Sequence, residues 1–113
     1  MITAVAFVFV AGLGALARAE AGRRWNRPDG LAVGTLVVNV SGSFLLGLLS
    51  ELTSPAITVL GVGALGAYTT FSSFARDTVA LGEQRHLWLA GGYVVASCVL
   101  GIGAAALGVA IGP

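Results

Sequence analysis

Apolar residues dominate four stretches of this chain, and shorter polar stretches separate them. The apolar stretches extend over about residues 2–20, 31–50, 56–78 and 87–111. A helix needs roughly 17–25 such residues to cross the hydrocarbon core of a bilayer. The pattern therefore predicts an all-α integral membrane protein whose four transmembrane helices form a single membrane domain over residues 1–113.

Composition and chemistry narrow the class of protein further. Of the 113 residues, 57% are hydrophobic and only 10% are charged, which is far from the composition of a soluble domain. The four spans leave no length for a soluble catalytic domain. One histidine, one cysteine and charges at the edges of the spans cannot form a nucleophile–base pair, a carboxylate pair or a metal cluster, so we expect no enzyme. Cys98 is predicted to fill space in the fourth helix.

The first span has a second interpretation as a cleaved signal peptide, because the small residues Ala15 and Ala17 imitate a cleavage site. A signal peptide usually begins with basic residues. None lies between Met1 and Arg18. We therefore interpret this stretch as the first transmembrane helix.

The third span is unusually rich in small and hydroxyl-bearing residues, in the stretch GALGAYTTFSSFARDT over residues 63–78. Gly66 is a permissive backbone position, and Tyr68, Thr69 and Thr70 are poor helix formers. The stretch predicts either a helix that is broken near its middle or an intact helix whose threonines bond back to their own carbonyls. A break at membrane depth requires cover by protein or water, and such breaks commonly bind ions.

Other polar and aromatic residues are candidates for an ion path. Asn39 is an amide inside the apolar second span, where it serves either as an interhelical hydrogen-bonding group or as a donor to an anion. Phe71 and Phe74 share one helical face and could present positive ring edges, although ordinary packing also explains such a pair. Tyr93 and Ser97, one turn apart on the fourth span, could line the same path with hydroxyls.

Three motifs make the sequence similar to a known family. They are GLGALAR in the first span, GTLVVNVSGSF in the second and GALGAYTTFSSF in the third. In this order and spacing they resemble the small bacterial fluoride channels of the Fluc type, also called CrcB proteins, over nearly the whole chain. The resemblance implies a fluoride-specific channel of the plasma membrane, which exports F⁻ passively and so lowers cytoplasmic fluoride and its toxicity.

The resemblance also implies an assembly and a set of pore residues. The assembly is an antiparallel dimer of four-helix subunits, in which the broken third helices meet at the centre beside two pores. Ring edges and an amide contact fluoride in this family, and hydroxyls lie beside the pore. By motif position, the ring edges come from Phe71 and Phe74, the amide from Asn39, and the hydroxyls from Thr70, Ser73, Tyr93 and Ser97.

A structural Na⁺ that is not transported is a further implication of the resemblance. Backbone carbonyls hold it at the break, and motif position assigns them to Gly66 and Thr69. The sequence departs from the family at three places. Ser73 stands where threonine is commoner, Ala67 where a second glycine is usual, and Asp77 where glutamate is frequent. With Ala67 present, the break is expected to rest on Gly66 alone.

The arginines are distributed on one side of the predicted topology. All six lie in or at the edge of residues 18–30 and 76–86, two polar stretches that two spans separate. Positive charge favours the cytoplasm, so both loops are predicted inside and both termini outside. This bias favours a single orientation, and an antiparallel dimer would then need a second, oppositely biased homologue. Cysteine labelling at Ser54 and Asn26 would distinguish this heterodimer from a homodimer.

Two other classes of protein compete with the channel. A transporter of the small multidrug-resistance type needs a carboxylate inside the first span, but Glu20 lies at the edge of that span. A non-conducting structural subunit would share the glycine-rich helix faces. It would not explain Asn39 together with the TTFSSF box.

Overall fold

The computed structural model describes residues 1–27, 30–52 and 56–112. Every regular element in these ranges is a helix, and one isolated antiparallel bridge joins Asn26 and Ala32. The helices are α1 (Ile2–Trp25), α2 (Val33–Leu48), α3, which is a π-helix over Ile57–Leu65 that continues as an α-helical turn over Gly66–Tyr68, α4 (Phe71–Glu83) and α5 (Leu87–Ile111). The all-helical prediction is confirmed.

The bounds of α1 and α2 differ from those of the predicted spans, whereas those of α5 agree with them. By length and hydropathy, α1 and α5 each suffice to cross a membrane, and α5 has the predicted bounds. α1 continues to Trp25, beyond residue 20, because Arg23 and Arg24 both pair with Glu20 and support its polar last turns. α2 has 16 residues, about 24 Å, and is shorter than the predicted stretch 31–50.

Glycines allow three pairs of helices to approach closely, since a side chain at Gly34 of α2 would overlap the Ala21 carbonyl of α1. A side chain at Gly108 of α5 would overlap the Phe44 carbonyl of α2, and one at Gly14 of α1 would overlap the Ala64 carbonyl of α3. Small residues make such contacts possible where no hydrophobic effect drives helices together. The bundle is therefore held by backbone contact along α2–α5, α1–α3 and α1–α2.

The interior of the single chain is small. Val38 and Tyr93 are fully buried, and Tyr93 packs with Ala32 and Leu81 in a cluster. Large apolar side chains are exposed along the whole length of α1 and α5. Such a surface suits lipid or another apolar protein surface.

Asparagine fixes the connection between α1 and α2. The Asn26 Oδ1 atom accepts the Thr35 N–H at 3.0 Å, and its Nδ2 donates to Thr35 Oγ1 at 3.2 Å. Thr35 is buried. These two bonds hold the end of α1 against the first turn of α2, at the same end of the bundle as the α4–α5 turn.

Candidate ion pathway at the α3–α4 junction

The backbone leaves the helical conformation at Thr69 and Thr70, between α3 and α4. Thr69 has φ −77° and ψ 158°, and Thr70 has φ −154° and ψ 114°, so both are extended. Gly66 is helical, with φ −63° and ψ −37°. The expectation that the special geometry rests on Gly66 is therefore wrong: it lies at two threonines, which are poor helix formers.

The two threonines use their hydroxyls differently. Thr69 Oγ1 donates to the Leu65 carbonyl at 2.9 Å, which is the back-bonding expected of a threonine in an intact helix. Thr70 Oγ1 instead accepts the Ser73 N–H at 3.1 Å and caps the first turn of α4. The hydroxyl of Thr70 thus starts a new helix.

Asn39 of α2 bonds to both backbone groups of Thr70. Its Oδ1 accepts the Thr70 N–H at 2.8 Å, and its Nδ2 donates to the Thr70 carbonyl at 3.1 Å. The side chain therefore supplies partners that a continuous helix would have supplied. An amide carries two N–H hydrogens, so the bond to Thr70 uses only one of them.

The same bonds release two carbonyls from their helical donors. In a continuous α-helix, the Thr70 N–H would bond to the Gly66 carbonyl and the Ser73 N–H to the Thr69 carbonyl. Here the Thr70 N–H bonds to Asn39 Oδ1 and the Ser73 N–H to Thr70 Oγ1. Carbonyl oxygens freed in this way are hard ligands that suit a small cation.

Two side chains that the sequence did not single out hold the end of α3. Arg18 Nε of α1 donates to the Ala67 carbonyl at 3.2 Å. The hydroxyls of Ser41 and Tyr68 lie 2.9 Å apart, which joins α2 to α3. Arg18 follows Gly14 by one helical turn within the GLGALAR motif, and this spacing was the available signal for its position near α3.

A cleft of about 580 Å³ lies beside the junction, lined by α2, α3, α4 and α5. It brings together most of the predicted site residues, namely Asn39, Gly66, Thr69, Thr70, Phe71, Phe74 and Ser97. Leu46, Ile57 and Cys98, which were not predicted to belong to a site, also contribute to the lining. Cys98 is exposed in the single chain and lines the cleft, so the expectation that it only fills space in the fourth helix is wrong.

Ser73 and Tyr93 are not part of this lining among the described residues. Ser73 contributes its N–H to the cap of α4. Tyr93 is 1% exposed and packs against Phe74, with ring centroids 5.3 Å apart. Its hydroxyl donates to Asp77 Oδ2 at 3.4 Å. Tyr93 therefore supports the wall of the cleft from behind.

The phenylalanines differ in burial, although both line the cleft. Phe71 is 79% exposed in the single chain, whereas Phe74 is partly buried between Phe71 and Tyr93. The centroids of the two phenylalanine rings are 5.9 Å apart and tilted by 48°. Phe71 thus offers most of its ring to whatever enters or covers the cleft.

Ser97 places a hydroxyl without a hydrogen-bond partner at the wall of the cleft. Its Oγ is buried and has no hydrogen-bond partner within the described residues. A buried hydroxyl without a partner costs about 1–3 kcal/mol, so a ligand or a water at this position would be stabilised. No group of three His, Cys, Asp or Glu side chains suited to a metal occurs in the described part of the chain.

The fold and this junction define a small helical membrane protein with a polar backbone segment exposed to a cleft. The family described as "CrcB-like protein, Camphor Resistance (CrcB)" matches residues 5–109, and the chain belongs to this family. The family that the three motifs indicated is therefore confirmed.

Curated relatives carry a functional name. The "Fluoride-specific ion channel FluC" of Agrobacterium fabrum is 45% identical over 86 residues, which cover 70% of this chain and 69% of the relative. "Fluoride-specific ion channel FluC 2" of Mycolicibacterium paratuberculosis is 41% identical over 110 residues, 92% of this chain and 88% of the relative. The protein of the same name from Mycobacterium bovis is 48% identical over 77 residues, 66% of this chain and 61% of the relative.

Proposed function

We propose that this chain is a subunit of a fluoride-specific ion channel, a multi-pass protein of the plasma membrane that lets F⁻ leave the cell down its gradient. Its family and the names of its relatives support this function. The observation that carries it is the convergence of Asn39, Phe71, Phe74 and Ser97 on one cleft beside the extended Thr69–Thr70 segment.

The chemistry of the cleft suits a small, tightly hydrated anion. The described lining contains no Lys or Arg, so neutral donors would replace the water around F⁻. The free amide hydrogen of Asn39, the hydroxyl of Ser97 and the ring edges of Phe71 and Phe74 are such donors. Neutral donors bind an anion in steps without holding it too strongly to leave.

The remaining predicted pore residues have secondary roles in this proposal. The oxygen of the Thr70 hydroxyl caps α4, and this hydroxyl lies 3.2 Å from the Ser72 hydroxyl, so its hydrogen would reach the path when Ser72 is the donor of that pair. Ser73 would join the path beside that cap. Tyr93 would act through Phe74, which it supports, and through Asp77, to which its hydroxyl donates.

A structural Na⁺ fits the released carbonyls. Gly66 and Thr69 both line the cleft, and both carbonyls have lost their helical donors. Two carbonyls are too few for a complete shell, so a second subunit would supply the other ligands. The ion would join two junctions and would not be transported.

The proposed assembly is an antiparallel dimer in which the third span of each subunit crosses as a broken helix. The exposed ring of Phe71 and the open cleft suit a second subunit of the same family. Because the arginines lie in or at the edge of residues 18–30 and 76–86, two stretches on the same side of the predicted topology, we propose a single orientation with both loops cytoplasmic, and hence a different homologue as partner.

Ion efflux from liposomes tests the function. Purified protein, alone and with its candidate partner, is reconstituted, and electrodes follow the release of F⁻ and Cl⁻. We expect release of F⁻ and not of Cl⁻. Equal release of both ions, or no release under either condition, would contradict the proposal.

Cysteine accessibility in intact cells tests the orientation. Ser54 lies outside the described residues, and a cysteine at Asn26 would remove the bonds to Thr35. Glu51 and Gln84 are exposed at opposite ends of the bundle, so E51C and Q84C in a C98A background are better probes. We expect labelling of E51C from outside and none of Q84C. Similar labelling of both would indicate a dual topology and a homodimer.

A further inference from the structure

Arg18 is a charged residue whose role the proposed conduction path does not explain. It lies in α1, seven residues before the helix ends at Trp25, and is only partly exposed. Its hydrogen bond to the Ala67 carbonyl joins residues that are 49 positions apart. A guanidinium at this depth is costly unless it has a defined partner, and that partner is the end of α3.

The approach of α1 to α3 brings Arg18 to this carbonyl. At Gly14 the α1 backbone lies against the Ala64 carbonyl, and an added Cβ would be 3.2 Å from the Tyr68 nitrogen. Arg18 is one turn further along the same face of α1. The helices are therefore in close backbone contact one turn before the point where Arg18 reaches the last turn of α3.

The bond to Arg18 changes which carbonyls of α3 are available. A helix leaves its last four carbonyls without helical donors, here those of Gly66, Ala67, Tyr68 and Thr69, the C-cap residue. The Leu65 carbonyl accepts from the N–H and the hydroxyl of Thr69. The Ala67 carbonyl accepts from Arg18. Arg18 thus fixes the peptide plane that lies between the Gly66 and Thr69 carbonyls.

We propose that Arg18 is a positioning residue for the cation site: it holds the Ala67 carbonyl away from the ion and thereby orients the Gly66 and Thr69 carbonyls toward it. The inference rests on the Na⁺ site of the proposed function. A cation at the C-terminal end of a half-helix also stabilises that end. Arg18 would therefore keep α3 ended at the residue where the ligands are required.

The direction in which Na⁺ affinity changes when Arg18 is replaced separates a positioning role from a purely electrostatic one. A positive charge near a cation site repels the cation, so its removal should strengthen Na⁺ binding if charge alone matters. Loss of a positioning bond should instead weaken Na⁺ binding. The two roles predict opposite shifts.

Thermal unfolding of the purified complete protein, assembled in detergent with its candidate partner, measures this shift without reference to fluoride flux. NaCl is exchanged for N-methylglucamine chloride at constant ionic strength, and the Na⁺ concentration that gives half of the rise in Tm is recorded. The variants are R18Q and R18K. R24Q is the matched control, because Arg24 lies on the same helix but is exposed and pairs with Glu20.

We expect R18Q to raise the half-maximal Na⁺ concentration about tenfold or more, which corresponds to the loss of one hydrogen bond to a charged group. R18K keeps the charge without the planar guanidinium and should fall between the wild type and R18Q. R24Q should match the wild type. If R18Q does not yield folded protein, a raised concentration in R18K supports the inference.

An unchanged or lower Na⁺ concentration in R18K, or in R18Q where it folds, would overturn the inference. So would a wild-type protein whose Tm does not respond to Na⁺. In that case the release of F⁻ from liposomes still decides the proposed channel function on its own.

Discussion

Two apolar regions of the molecule are rich in glycine and yet have different backbones. α5 contains Gly91, Gly92, Gly101, Gly103 and Gly108 and remains one helix of 25 residues. The α3–α4 region contains fewer glycines, and its backbone is extended at Thr69 and Thr70. Glycine content therefore does not decide where a helix ends in this protein.

Hydrogen bonds from neighbouring residues account for the difference. Asn39 takes up both backbone groups of Thr70, and the Thr70 hydroxyl caps α4. At membrane depth a helix cannot open unless protein or water replaces its backbone partners. Within the described side-chain bonds, no residue of another helix bonds to the backbone of α5. The comparison indicates that the polar neighbours of a span, more than its glycines, determine its interruption.

Removal of the Asn39 side-chain bonds should have the largest effect. N39L keeps the volume but leaves the Thr70 N–H and carbonyl without these partners, at a cost of about 2–5 kcal/mol. We expect F⁻ efflux from liposomes to fall about thirtyfold or more, since 1.4 kcal/mol corresponds to a factor of ten.

N26L is the matched control for this variant. Asn26 makes an equivalent pair of bonds to Thr35, far from the cleft. The N26L variant should lower the stability of the protein, while the folded fraction still conducts F⁻. Normal efflux in N39L would show that the junction does not depend on Asn39. It would contradict the conclusion that the polar neighbours of this span determine its interruption.

Loss of the ring edges should reduce conduction sharply while the protein still assembles. F71I and F74I keep bulk and apolarity but remove the aromatic quadrupole. Phe71 is mostly exposed in the single chain, so F71I should change stability less than F74I, which also loses contact with Tyr93. F9I on the exposed face of α1 is the control for efflux and for dimer content by size-exclusion chromatography. Unchanged efflux in both pore variants would assign the two rings to packing.

Glycine substitutions test whether the glycines of α5 serve close helix packing, and the expected changes in stability are smaller. A Cβ at Gly108 would overlap the Phe44 carbonyl and lie 2.7 Å from the Leu48 nitrogen, whereas one at Gly91 meets nothing within 4 Å. G108A should separate α2 from α5 and cost about 1–3 kcal/mol. G91A should be neutral or slightly stabilising. Equal values of Tm for the two variants would show that close α2–α5 contact does not stabilise the bundle.

The sequence predicted those features that depend on local pattern. Hydropathy located the four apolar stretches, and the motifs identified the family and most of the cleft. Hydropathy did not predict that α1 would continue to Trp25, because this depends on pairing of Arg23 and Arg24 with Glu20.

Tertiary contacts explain what the sequence could not predict. The bonds of Asn39 to Thr70 and of Arg18 to Ala67 join residues 31 and 49 positions apart. They depend on how closely the helices approach, which no single span encodes. For the same reason, the sequence located the stretch 66–70 but not which of its residues would be extended: Gly66 is helical, and the threonines are extended.

The smallest effect is expected at Ala67, where the family commonly has a second glycine. Ala67 lies in the helical turn Gly66–Tyr68, and no described residue of α3 or α4 has a positive φ. A67G therefore gains no conformation that the native backbone requires. The bond from Arg18 uses the Ala67 carbonyl, which the substitution retains. A glycine in a helix costs about 0.5–1 kcal/mol relative to alanine, so A67G should lower Tm slightly and leave F⁻ efflux within about twofold. A large gain in efflux or in Na⁺ stabilisation would show that alanine constrains the junction, and that glycine has a role in it after all.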